Sequence, residues 1–116
     1  MDERQALSAF AALSQETRLR ILRHLVVAGP DGLAAGVIAE RVEVSASNVS
    51  FHLKELEHAG LLAARRDGRS IIYCADYASV AELIRFLLED CCSGRPEICE
   101  PAAAFAACCT PVEACR

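Results

Sequence analysis

The sequence has no tryptophan and few other aromatic residues, two tyrosines and four phenylalanines. Its apolar share of 53% must come mainly from Ala, Leu and Val, which predicts an aliphatic core. No apolar run approaches the ~20 residues needed to cross a bilayer, so no membrane partner is expected. The opening stretch MDERQALSAF puts acids where a secretory signal would carry basic residues before an apolar segment. These features lead to the expectation of a cytoplasmic protein. There is also no glycine-rich phosphate loop and no strand–helix alternation that would build an α/β pocket, so an enzyme is not expected.

Cysteine is not scarce. Seven are present, at positions 74, 91, 92, 99, 108, 109 and 115. In a reducing compartment clustered thiols more often bind metal or sense redox state than form a disulfide framework, and an odd number fits full pairing poorly. The formal net charge of −4 is uneven along the chain. Residues 1–75 hold nine basic and nine acidic side chains, whereas residues 76–116 hold three and seven. The acidity lies in the tail and leaves room for a basic surface earlier in the chain.

Periodicity divides the first part of the chain into short elements. Ala6, Leu7, Phe10, Ala11 and Leu13 suggest a short helix. LSQETRLRILRHLVVAGPDG predicts a second one capped by Ser14, with Leu19, Leu22, Leu25 and Val26 on one side, stopped by Gly29-Pro30-Asp31-Gly32. A third helix is expected over about Ala34 to Val42. A tight turn then leads to a fourth, capped by Ser45 or Ser47 and ending at Gly60. In that fourth helix Val49, Leu53 and Leu56 bury one face, and the other face shows Ser47, Asn48, Ser50, Phe51, His52 and Lys54. LLAARRDGRSIIYCA predicts a hairpin around Asp67-Gly68. DYASVAELIRFLLEDCC predicts a last helix with Val80, Leu83, Ile84, Leu87, Leu88 and Cys91 on its apolar face.

Helix, tight turn, helix and basic hairpin is the order of a winged helix-turn-helix. A recognition helix must bury one face and offer small polar side chains to base edges in the major groove. A wing needs cations near its tip for phosphates, which supply affinity without sequence information. The helix from Ser47 to Ala59 and the arginines Arg65, Arg66 and Arg69 meet these demands, and double-stranded DNA is the expected partner. The expected fold class is mainly α with an α+β wing: about five helices plus a two-stranded β-hairpin.

The segments LSQETRLRILRHL, VSASNVSFHLKELEHAGLL and RRDGRSIIYCA resemble those of the ArsR/SmtB family of metal-responsive repressors. The likeness covers about residues 5–90. It implies a homodimer on an operator, with first and last helices at the dimer interface, released by an inducer. It assigns DNA contacts to Ser47, Asn48, Ser50, His52 and Lys54, with Arg65, Arg66 and Arg69 in the wing. The best-known arsenic-sensing branch carries a C-V-C-x-x-C motif in the first helix of the helix-turn-helix. Here that place reads AAGVIAERV, without a cysteine.

The thiols concentrate instead in CCSGRPEIC, residues 91–99. Thiolates select soft acceptors over magnesium or calcium. Cys91, Cys92 and Cys99 have no histidine near them in sequence, so a closed four-ligand zinc site would want a donor. Trivalent arsenic or antimony is satisfied by three sulfurs and a lone pair, and some arsenic-responsive members of the family have vicinal cysteines after the last helix. The expected arrangement is a DNA-binding and dimerisation domain over 1–92 and a Cys-rich inducer-binding loop and tail over 93–116, with no required cofactor. As(III), Sb(III) or an organoarsenical is the expected inducer. A redox or persulfide sensor, a lead or cadmium sensor and inert packing remain alternatives, as does a metal buffer without DNA binding. Cys108, Cys109 and Cys115 repeat the spacing as a possible second thiol site, and Cys74 is read as a packing residue.

Overall fold

The computed structural model describes residues 1–89. Eight elements follow in order: α1 (Glu3–Leu13), α2 (Glu16–Ala28), β1 (Leu33–Ala34), α3 (Ala35–Val42), α4 (Ala46–His58), β2 (Leu62–Asp67), β3 (Ser70–Ala75) and α5 (Tyr77–Glu89). Asp2 and Gln5 begin α1 with a reciprocal pair, the Gln5 amide donating to Asp2 Oδ1 at 2.8 Å and the Asp2 amide to Gln5 Oε1 at 2.9 Å. The buried face of α1 is Ala6, Ala9 and Ala12, small residues that let the helix lie close to its neighbours.

Ser14 does not cap α2. Its hydroxyl donates back to the Ala11 carbonyl at the end of α1, and the Gln15 side chain accepts from the Arg18 amide instead. The buried face of α2 also differs from expectation. Ile21, Leu22 and Leu25 face the core, while Leu19 and Val26 are exposed. The apolar spacing fits either stripe, and packing against α1, α3 and α4 selects the one containing Ile21.

Between α3 and α4 the chain turns at Glu43, the one non-glycine with positive φ (57°) among the described residues. Ser45 caps α4, and Val49, Leu53 and Leu56 are buried against Ile38 and Val42 of α3 and Ile21 and Leu25 of α2 within one core. Truncating Leu53 to Ala would open a cavity here, a change that costs about 2–5 kcal/mol in such sites.

The expected two-stranded hairpin is present as β2 and β3, and β1 adds a third strand to it. The order is β1-β3-β2, all antiparallel, with Leu33 opposite Tyr73 and Ala34 opposite Ile72. A two-residue strand has too little pattern to announce itself in sequence. In the hairpin Asp67 pairs with Ser70, so the loop is Gly68-Arg69, one residue later than an Asp-Gly loop. Gly68 has φ of 64° and Arg69 does not share that sign, which is the type II′ pattern.

Asp76 accepts from the Ser79 amide to start α5, and the Tyr77 hydroxyl donates to the Val26 carbonyl at 3.1 Å, pinning α5 to the end of α2. Cys74 is buried in β3. Every other cysteine follows residue 89. The expected domain boundary at 92/93 and the thiols Cys91, Cys92, Cys99, Cys108, Cys109 and Cys115 lie outside the described residues. No helix among the described residues is long and apolar enough to cross a membrane.

Two glycines separate backbone strain from steric fit. Gly60 has φ of 81° with open space around it, whereas a Cβ on Gly32 (φ 70°) would sit 2.4 Å from the Tyr73 carbonyl oxygen. Gly60→Ala should cost about 1–2 kcal/mol, the usual penalty of the left-handed region. Gly32→Ala should cost clearly more, because β1 must move off β3. Urea unfolding of the two variants checks the order.

Candidate nucleic-acid interface

The packing of α4 sets which side chains are available. With Val49, Leu53 and Leu56 turned inward, the opposite stripe runs Ser47, Phe51, Lys54 and His58, at i, i+4, i+7 and i+11. Asn48 and Ser50 flank it, and all six are exposed. The first two turns carry no acid; Glu55 and Glu57 come later. The N-terminal half of α4, with the positive end of its dipole, is therefore the half suited to a polyanion.

His52 is placed differently from its neighbours. It is half-buried, and its Nδ1 lies 3.3 Å from Arg18 Nη1 on α2. A guanidinium can only donate, so Nδ1 accepts and the ring proton sits on Nε2. Arg18 also donates from Nε to the Ala12 carbonyl at 2.7 Å, so one side chain joins the ends of α1 and α2 to the middle of α4. Burial and the neighbouring Arg18 charge lower the His52 pKa, against a smaller opposing effect of Glu55. The sequence showed the histidine but not its tether, because Arg18 lies 34 positions away.

The three wing arginines divide in a similar way. Arg65 donates to the Pro30 carbonyl at 3.2 Å and to the Asp31 carbonyl at 2.9 Å, which fastens β2 to the turn after α2. Arg66 and Arg69 are exposed and make no ion pair with the described residues. Arg69 and Ser70 form one wall of a 350 Å³ cleft whose other walls are Ala35 and Gly36, at the start of α3, and Ser50 of α4. The first turn of α3 has no side-chain cap there, since Ala34 offers no acceptor. A helix dipole's positive end beside a guanidinium is a favourable place for a phosphate. No group of three or more His, Cys, Asp or Glu that could hold a metal occurs among the described residues.

A winged helix-turn-helix with a bare polar recognition face is a DNA-binding architecture, and comparison with known proteins agrees. A helix-turn-helix domain family matches residues 13–65. The HTH-type transcriptional regulator YceK of Bacillus subtilis is 39% identical over 69 residues, covering 60% of this chain and 68% of that protein. A putative arsenical resistance operon repressor of Halobacterium salinarum is 36% identical over 63 residues, covering 54% of this chain and 48% of that protein. Among solved structures, an ArsR-like transcriptional regulator from Rhodococcus sp. RHA1 is 32% identical with a TM-score of 0.66, covering 93% of this chain and 95% of that one. A homodimeric winged helix-turn-helix DNA-binding domain from Mycobacterium bovis is 26% identical with a TM-score of 0.59, covering 72% and 76%.

The chain belongs to the ArsR/SmtB family. It is a DNA-binding transcriptional regulator and not an enzyme.

The division of the wing arginines is testable by salt dependence. Removing one phosphate contact should reduce the slope of log K against log salt by about 0.9. Arg66→Ala and Arg69→Ala should each show a reduction of that kind in fluorescence anisotropy titrations. Arg65→Ala should leave the slope nearly unchanged and lower the melting temperature.

The lowered His52 pKa makes a second prediction. Above the ordinary imidazole value of about 6.5 the ring is neutral in folded and unfolded chains alike. As pH falls below it, the unfolded chain takes up the proton first, so stability is lost as pH drops through the depressed folded value. His52→Gln should flatten that part of the stability–pH curve, and the His52 ring signals should titrate below the ordinary value in NMR.

Proposed function

We propose that this protein is a cytoplasmic repressor that binds operator DNA as a homodimer and is released when trivalent arsenic or antimony binds Cys91, Cys92 and Cys99. The observation that carries the DNA half is the exposed stripe of α4 beside the exposed Arg66 and Arg69 of the wing. In this reading Ser47, Asn48, Ser50 and Lys54 meet base edges and phosphates, with Arg66 and Arg69 on the adjacent backbone.

The dimer is supported by apolar surface that one chain leaves open. Leu7 on α1 is 62% exposed, and Ile84 and Leu87 on α5 are 46% and 47% exposed. The two helices touch each other, so these side chains lie on the pair of elements through which the family is expected to dimerise. A second copy would bury them by the ordinary hydrophobic gain of about 25 cal/mol per Å². Two recognition helices would then address half-sites about one helical turn apart.

The inducer assignment rests on sulfur chemistry. Arsenous acid condenses with three thiols to give an As(SR)₃ centre and three waters, whereas cadmium or lead must displace thiol protons. In sequence the cysteine pair follows α5 within three residues, which would couple inducer binding to that helix and so to half-site spacing. A second reading is a thiol-redox or persulfide sensor of the same fold, since vicinal thiols such as Cys91 and Cys92 also support that chemistry.

A single titration separates the two readings. Arsenite added to the operator complex should release the DNA from wild type, and single Ser variants of Cys91, Cys92 and Cys99 should each stay bound. Release by a persulfide, with arsenite inert at saturation, would contradict the arsenic reading and support the redox one.

A further inference from the structure

One side chain on the recognition face does not belong to a hydrogen-bonding surface. Phe51 is 57% exposed and stands in the middle of the outward stripe of α4, one turn after Ser47 and just under one turn before Lys54. Among the described residues, the other large apolar side chains left exposed, such as Leu7, Ile84, Leu87 and Val27, lie on α1, α2, α3, α5 or the wing. On α4 the ring is alone, ringed by Ser47, Ser50 and Lys54. A protein-docking surface presents a contiguous apolar patch, and this is not one.

The ring is also braced. It meets His52 edge to face, with centroids 5.5 Å apart and planes at 66°. His52 accepts from Arg18, which is held in turn by the Ala12 carbonyl. The chain Phe51–His52–Arg18 fixes the direction of an aromatic group that core packing does not hold.

The major groove offers one feature that such a group recognises. Adenine, guanine and cytosine present donors and acceptors there, which a phenyl ring cannot satisfy. Thymine alone adds an apolar C5-methyl group. We infer that Phe51 is a specificity-determining residue that reads the C5-methyl of a thymine in each operator half-site, with His52 as its positioning residue. The inference rests on the DNA-binding reading above and deepens it.

The test uses duplexes enriched from a random pool by the full-length protein, in which each thymine is replaced singly by deoxyuridine. For wild type, one position per half-site should lose about fourfold in affinity on losing its methyl, the equivalent of the ~0.8 kcal/mol of one buried methyl-sized group. In Phe51→Ala, thymine and uracil at that position should bind equally, while Phe51→Leu should keep part of the difference. His52→Ala should reduce it with Phe51 intact. A wild-type scan with no methyl-sensitive position, or one whose sensitivity survives in Phe51→Ala, overturns the inference and leaves DNA binding standing. Failure of wild type to enrich any duplex would overturn both.

Discussion

The structure depends on one constraint placed on α4: the same thirteen residues must bury one side completely and leave the other side bare. Val49, Leu53 and Leu56 supply the buried side, and they are the residues that hold α2, α3 and the start of β2 together. Because three aliphatic side chains suffice for cohesion, the outward positions are released from any packing duty. A helix that needed a wider apolar stripe would have no face left for DNA. The cost of that economy falls on the rest of the core, which closes around small side chains such as Ala6, Ala9 and Ala75.

The same logic explains how charged groups are used. Arginines that come close to the core are tied to main-chain carbonyls: Arg18 to Ala12, Arg65 to Pro30 and Asp31. Each of these bonds satisfies an acceptor at the end of a helix or in a turn, where the helix itself leaves carbonyls open. Arginines farther out, Arg66 and Arg69, keep their charge directed to solvent. Counting basic residues along the wing would treat all three alike; the geometry gives one of them a structural duty. The arrangement couples the interface to the scaffold, since the Arg18–His52 contact lets α2 set the rotation of α4.

Much of this was legible in the sequence. The Val49, Leu53 and Leu56 spacing, the Ser45 cap, Gly60 as a left-handed stop and the paired runs around Gly68 each carry a local physical signal, and local signals survive into the fold. What was hidden depends on partners far along the chain. Ser14 and Gln15 are both plausible caps, and only the preceding helix decides between them. Leu19 and Val26 look as buried as Leu22 until the neighbours of α2 are known. The two residues of β1 gain strand geometry only by pairing with Tyr73 and Ile72. Phe51 was visible as an outward residue, but its isolation on that face required the whole surface. The thiols proposed to take the inducer follow α5 in sequence and lie outside the described residues, so that proposal rests on spacing and sulfur chemistry.

The surface proposed to meet DNA is the outward stripe of α4 together with the wing tip. Among the described residues, Arg20, Arg23 and His24 line another basic surface, a shallow hollow on α2, and this is the natural competitor. Backbone amide shifts of the full-length protein on adding enriched duplex DNA decide between them. If α4 and the wing tip meet DNA, the largest changes fall at Ser47 through Lys54 and at Gly68 and Arg69, with α2 little affected. Changes confined to Arg20 through Val27, with α4 unmoved, would place the interface on α2 instead.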